Sequence, residues 1–202
     1  RRPAAEPSNE LIRKTIVEFA VGQLLNGFVL YPMLYKAMKK CGAPDLLAPL
    51  PSAVKLYAYF ASAYWFNNIG FTLAHRAVHS KMLYKRIHKK HHEFIGTMGI
   101  AAENAHPVEA VLANAFPTVG LSALGGAHPA AFLAWLAWRL EETFEAHSGF
   151  CFVGTWLHSI GLTHGSACAF HDAHHTANKG NFGGMPILDR IMGTDDAWQL
   201  AG

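Results

Sequence analysis

Three histidine clusters place the tightest constraint on how this chain can fold. His75 and His79 form HxxxH, His88, His91 and His92 form HxxHH, and His171, His174 and His175 form a second HxxHH. All lie within 101 residues. On a helix, positions i, i+3 and i+4 share a face. Each cluster is therefore expected to aim two or three imidazoles at one point, with three helical pieces lining a common cavity. Neutral imidazole is a ligand for zinc, copper, iron or nickel. A lone HxxxH is common in helices that bind nothing, so the repetition carries the metal reading. A zinc site takes four ligands, and these eight histidines point to two ions. The sequence has no EF-hand pattern, cysteine-rich zinc motif or HExxH. The histidine set also differs from that of soluble di-iron bundles, whose ligands are Glu plus ExxH.

Apolar segments flank these clusters. Residues 12–35 and 53–75 are each long enough for a bilayer core, which needs roughly 20 residues. The second is rich in Trp and Tyr, as membrane interfaces are. A further pair follows at 107–124 and 130–146, the former holding Pro117 and Gly120, which predict a kink. Only 15% of residues are charged, against about 25% in ordinary soluble domains. The expected fold is all-α and integral to a membrane, with about four transmembrane or membrane-embedded helices. A cytosolic, histidine-rich di-metal cap would sit on them, its final third loop-rich with short helices. Residues 1–11 read as a disordered lead-in to a single domain at 12–202, and the absence of an initiator Met points to a trimmed chain.

The formal charge of +3 gives no argument for nucleic acid. No basic-aromatic module is present, and bilayer-length segments flank the basic stretch. Lys81, Lys85, Arg86, Lys89 and Lys90 do cluster, and counting positive charge on either side of the apolar segments favours histidines in the cytosol. Lys89 and Lys90 fall at different helical angles from His88, His91 and His92, so one face can coordinate while the other meets water or headgroups. Cys41, Cys151 and Cys168 form no CxxC and no even set, which fits a reducing compartment.

Two more histidines are candidate ligands. His106 sits in ENAHPVE and His147 closes the apolar helix in EETFEAHSG; a helix-capping role is the structural alternative for each. His128, His158 and His164 lack such context and read as surface or supporting histidines. Glu103, Glu109, Asp172 and Asp189 are candidates to hold imidazole tautomers by hydrogen bonds. Gly183, Gly184 and Gly193 read as turn residues, and Asn181 as a cap of the last element. Trp65, Phe66, Phe71, Trp135, Trp138 and Phe144 precede the clusters or His147 and are candidates to line an apolar substrate channel, with ordinary packing or lipid contact the favoured role.

The HxxxH, HxxHH, HxxHH series resembles the membrane fatty acid hydroxylase/sterol desaturase superfamily. HRAVHSKMLYKRIHKKHHEF looks like its first two boxes with their joining helix, and AENAHPVE, RLEETFEAHSGF and AFHDAHH with GNFGGMPILDRIMGTD match its other segments. EAHSGF, the AHP segment and the final GTD look most similar to C-4 methylsterol oxidases. The resemblance implies an O2-dependent sterol or lipid monooxygenase of the endoplasmic reticulum membrane, multi-pass, with two iron ions; zinc would also fit as isolated. It would oxidise an unactivated C–H bond, most directly a sterol C-4 methyl group, with electrons from cytochrome b5 or a related NAD(P)H-linked carrier. A sterol desaturase, a fatty acid or carotenoid hydroxylase, and a non-redox membrane metal-binding protein are the alternatives.

Overall fold

The structure, a computed structural model, describes residues 6–95 and 98–195. Residues 1–5 of the expected lead-in lie outside that range. Every regular element among the described residues is helical. Helix α1, Asn9–Lys40, starts three residues before the expected boundary because Ser8 caps it, its side chain accepting from the Leu11 N–H at 3.1 Å. A π-helical stretch, Asn26–Leu30, interrupts α1 without breaking it. Helix α2, Ala53–Val78, is capped by Ser52 and carries His75 in its last turn.

Helix α3, Pro107–Leu124, runs continuously through Pro117. Pro117 has no N–H to donate, and the chain absorbs the loss in a π-helical stretch, Ala110–Ala115, that ends with the Phe116 N–H bonded to the Val111 carbonyl. Gly120 is needed for packing instead: a Cβ there would lie 3.3 Å from the Phe66 ring. Likewise a Cβ on Gly70 would meet Pro117 at 3.2 Å, so α2 and α3 pack closely along their length.

Helix α4, Pro129–Ala146, begins at His128, which is buried rather than at the surface. Its Nδ1 accepts from the Ala130 N–H and its Nε2 donates to the Ala48 carbonyl, each at 3.1 Å. Trp135 of α4 is fully buried with Met38, Ala63 and Phe132, and its indole N–H donates to the Thr118 carbonyl at 2.9 Å. Helices α5, Ala167–Ala177, and α6, Pro186–Met192, form the expected short-helix region, α5 packing on α4. Gly193 ends α6 at φ +64°, a turn residue as expected. Asn181 caps nothing: it is fully buried at φ +52°, and its side-chain amide donates to the Phe170 carbonyl.

Among the described residues, two helices are long and apolar enough to cross a membrane, α1 and α3. Along α1, Val17, Leu24, Phe28 and Met33 are all more than half exposed, a surface that water would not favour. Helices α2 and α4 turn polar residues inward: Asn67, Asn68 and Thr72 on α2, and Arg139, Glu142 and Glu145 on α4, are buried.

Candidate metal centre

Nine of the ten candidate ligands come together, in two adjacent groups. His75, His79, His88, His92 and His174 form the first; His91, His147, His171 and His175 form the second. His106 joins neither: its Nδ1 accepts from the Val108 N–H at 3.2 Å, capping α3. His147 follows α4 directly, where the end of the helix turns its ring toward His171, with Nε2 atoms 2.8 Å apart.

The motifs do not each serve one point, as their spacing had predicted. In each HxxHH the i and i+4 histidines enter one group and the i+3 histidine enters the other. His88–Glu93 is a 3₁₀ turn, not an α-helix. Three residues there advance about 6 Å, which stacks His91 above His88 with ring centroids 5.4 Å apart. On α5, His171 and His174 stack in the same way at 5.5 Å. His92 and His175 bring the groups into contact, with centroids 4.6 Å apart.

Hydrogen bonds fix the tautomers. The Nδ1–H of His75 donates to the Phe182 carbonyl at 2.7 Å and that of His174 to the Gly180 carbonyl at 2.6 Å, while His88 Nδ1 lies 2.7 Å from Glu109 Oε1. In the second group, His147 donates to the Thr143 carbonyl at 2.8 Å and His175 to the Phe94 carbonyl at 3.3 Å. A neutral imidazole with its proton on Nδ1 presents a lone pair at Nε2. The Nε2 atoms converge: Nε2 of His75 lies 3.1 Å from that of His88, and Nε2 of His92 lies 3.0 Å from His88 and 3.2 Å from His174. In the second group, Nε2 of His175 is 3.1 Å from that of His171.

Burial keeps these rings neutral. It lowers His79 to about 3 and His147 to about 4, the latter despite the Thr143 carbonyl bond and helped by the Arg139 charge. Burial and then the surrounding imidazoles lower His88, His91, His92, His171, His174 and His175 as well. The His88–Glu109 contact is thus a hydrogen bond of a neutral imidazole rather than an imidazolium ion pair. Converging neutral nitrogens at this separation fit the edges of a coordination shell: metal–nitrogen bonds of about 2.0–2.1 Å place neighbouring ligands about 2.9–3.4 Å apart. An all-imidazole set suits iron, zinc, copper or nickel.

The supporting carboxylates divide. Glu109 bonds His88 directly. Asp189 acts one step back: it accepts from the Phe182 and Gly183 N–H groups, each at 2.8 Å, and so holds the carbonyl that anchors His75. Glu103 is half-buried and makes no bond to a site histidine among the described residues, and Asp172 is half-buried beside His171. The backbone carbonyls of Phe94, Thr143, Gly180 and Phe182 are the anchors that no residue type announces. Of the aromatic candidates, Phe71 alone stacks on a site histidine, 5.0 Å from the His75 ring. Trp135 is core, Phe66 packs on Phe116, Trp138 packs on Trp135, and Trp65 and Phe144 face outward. A cavity of about 360 Å³ opens from the surface to His79 between Arg76 and Lys179.

A sequence model of fatty acid hydroxylases matches residues 60–194, which run from within α2 through α6 and hold every histidine of both groups. The chain belongs to the fatty acid hydroxylase family. Among curated relatives, methylsterol monooxygenase 2-2 of Arabidopsis thaliana is 36% identical over 155 residues, 75% of this chain and 57% of that protein. Methylsterol monooxygenase 1 of Gallus gallus is 39% identical over 122 residues, 60% of this chain and 40% of that protein. A very-long-chain aldehyde decarbonylase of Oryza sativa subsp. indica is 35% identical over 165 residues, 80% of this chain and 60% of that protein. This fatty acid hydroxylase chain thus spans between two fifths and three fifths of the length of these relatives. No solved structure matches it.

Proposed function

We propose that this chain is the metal-bearing core of a membrane-bound di-iron oxygenase that uses O2 and external electrons to oxidise an unactivated C–H bond of a sterol, most directly a C-4 methyl group. One observation carries the metal assignment: nine imidazoles gather in two groups, and His75, His174, His147 and His175 each commit Nδ1–H to a backbone carbonyl and so leave Nε2 to coordinate. The methylsterol monooxygenases among the relatives support the sterol substrate.

His75, His79, His88, His92 and His174 would hold one iron, and His91, His147, His171 and His175 the other. Iron, when bound, supplies the reduction of O2 and the removal of hydrogen from the C–H bond. The protein's own part is to orient and to exclude water. Glu109, the loop carbonyls and Asp189 lock the imidazole tautomers, while Phe71 and Phe182 wall the His75 ring. Apolar α1 and α3 would place the centre beside a bilayer, so that a substrate insoluble in water reaches it from lipid. On this reading about four helices are embedded, the location is the endoplasmic reticulum and the centre faces the cytosol. Lys81, Lys85, Arg86 and Lys89 are exposed and would meet an acidic donor such as cytochrome b5. Lys90 is not free for that role, because it pairs with Glu18 at 2.7 Å.

The rice relative, named for very-long-chain aldehydes, favours a second reading in which the substrate is a long acyl chain. One experiment separates them. Protein purified and loaded with iron without oxygen receives reductant, O2, and a panel of 4-methylsterols, fatty acids and long-chain aldehydes. Oxidation of the methylsterol, lost in His88→Ala and His174→Ala, is the expected result. Turnover of acyl substrates alone selects the second reading, and metal binding with no turnover defeats both.

A further inference from the structure

We propose that Glu141, Glu145 and His164 form a third cation site, apart from both histidine groups, that takes a divalent ion of the zinc kind. Each side chain offers a ligand atom within 4.8 Å of the other two. Glu141 and Glu145 lie one turn apart on the same face of α4, and His164 reaches them from the loop before α5. His164 Nε2 is 2.9 Å from Glu141 Oε2, and the His164 N–H donates to Glu145 Oε2 at 2.6 Å.

Glu145 sets this group apart from an ordinary surface cluster. It is only 4% exposed, and its Oε1 is buried with no hydrogen-bond partner among the described residues. A carboxylate oxygen buried without a partner is costly. Charge points the same way. Glu142, on the same turn, is paired with Arg139 at 3.2 Å. Glu141 and Glu145 are left with one imidazole between them, and two carboxylates so close repel each other. A divalent ion neutralises both and gives Glu145 its missing partner.

The ligand chemistry selects the class of ion. Two carboxylates and one imidazole match zinc, whereas calcium and magnesium prefer oxygen alone. The Trp138 ring packs on His164 with centroids 4.9 Å apart and fixes its orientation. The Glu141 side chain is 43% exposed, so ions and a water ligand have access. The position gives the site a purpose. Glu145 precedes His147 by two residues, and His164 precedes His171 by seven. An ion here staples the end of α4 to the segment leading into α5, the two elements that supply His147, His171 and His175.

The test counts metal. Full-length protein loaded with iron is given a small excess of zinc and desalted, and total metal per chain is measured for wild type, Glu141→Gln and His164→Asn. Because Glu141 is at the surface, Glu141→Gln keeps the fold. The expected result is one equivalent more in wild type than in either variant, with equal iron in all three. Equal total metal in the three proteins means that His164 merely pairs with Glu141 as an imidazolium, and the proposal falls. The difference between wild type and Glu141→Gln reads this site even if the histidine groups take no iron, so failure of the di-iron reading remains distinguishable.

Discussion

His75 and His88 meet nitrogen to nitrogen at 3.1 Å, with Nδ1 of each bonded elsewhere. For His88 that bond runs to Glu109, whose Oε1 lies 2.7 Å from Nδ1. Glu109→Gln replaces the carboxyl group with an amide of the same shape. We expect metal affinity in the first group to fall about 10–100-fold, the usual effect of losing such a partner. Competition with a chelator of known affinity measures it. Unchanged affinity would mean that Glu109 does not orient His88.

Acid should destabilise the metal-free protein. Burial holds His147 at about 4 in the fold, against about 6.5 when unfolded. Between those values the unfolded chain binds the extra proton, so stability is greatest above pH 6.5 and declines as pH falls toward 4. By pH 5 this one histidine removes about 2 kcal/mol. The melting temperature of the metal-free protein should therefore drop steadily between pH 7 and 5; a flat profile contradicts it.

His106 and His147 should separate cleanly. His106→Ala removes a helix cap and is expected to cost about 1 kcal/mol with metal content unchanged. His147→Ala should deplete the second group. Metal analysis and denaturant unfolding of both variants decide the matter, and a loss of metal in His106→Ala would overturn the assignment made here.

Asp189→Ala should damage the centre without touching a ligand. It strips acceptors from the buried N–H groups of Phe182 and Gly183. Each unsatisfied group costs about 1–3 kcal/mol. The Phe182 carbonyl that anchors His75 would then drift. Lower unfolding stability together with reduced metal content is the expected pair of results; normal metal content would confine Asp189 to a structural role.

The histidines were legible in the sequence because their chemistry is carried by residue type and short spacing. Their partition was not. A period of 3.6 puts i, i+3 and i+4 on one face, but it does not say that two foci lie along that face, nor that His88–Glu93 adopts a 3₁₀ turn. His106 shows the same limit, since a histidine before Pro serves equally as ligand or cap until the fold places it. Nor does residue type announce the π-helical stretch, Ala110–Ala115, that precedes Pro117. Helix boundaries at Ser8 and Ser52 followed ordinary capping chemistry.

The shared rungs of the two HxxHH motifs would tie the fates of any two ions bound there together. Whatever steadies His88 and His92 also steadies His91, next to His92 in the chain, and whatever steadies His174 also steadies His171 and His175. A first ion would therefore do part of the ordering for a second. On the di-iron reading, half-loaded protein should be scarce, and the centre should fill and empty as a pair.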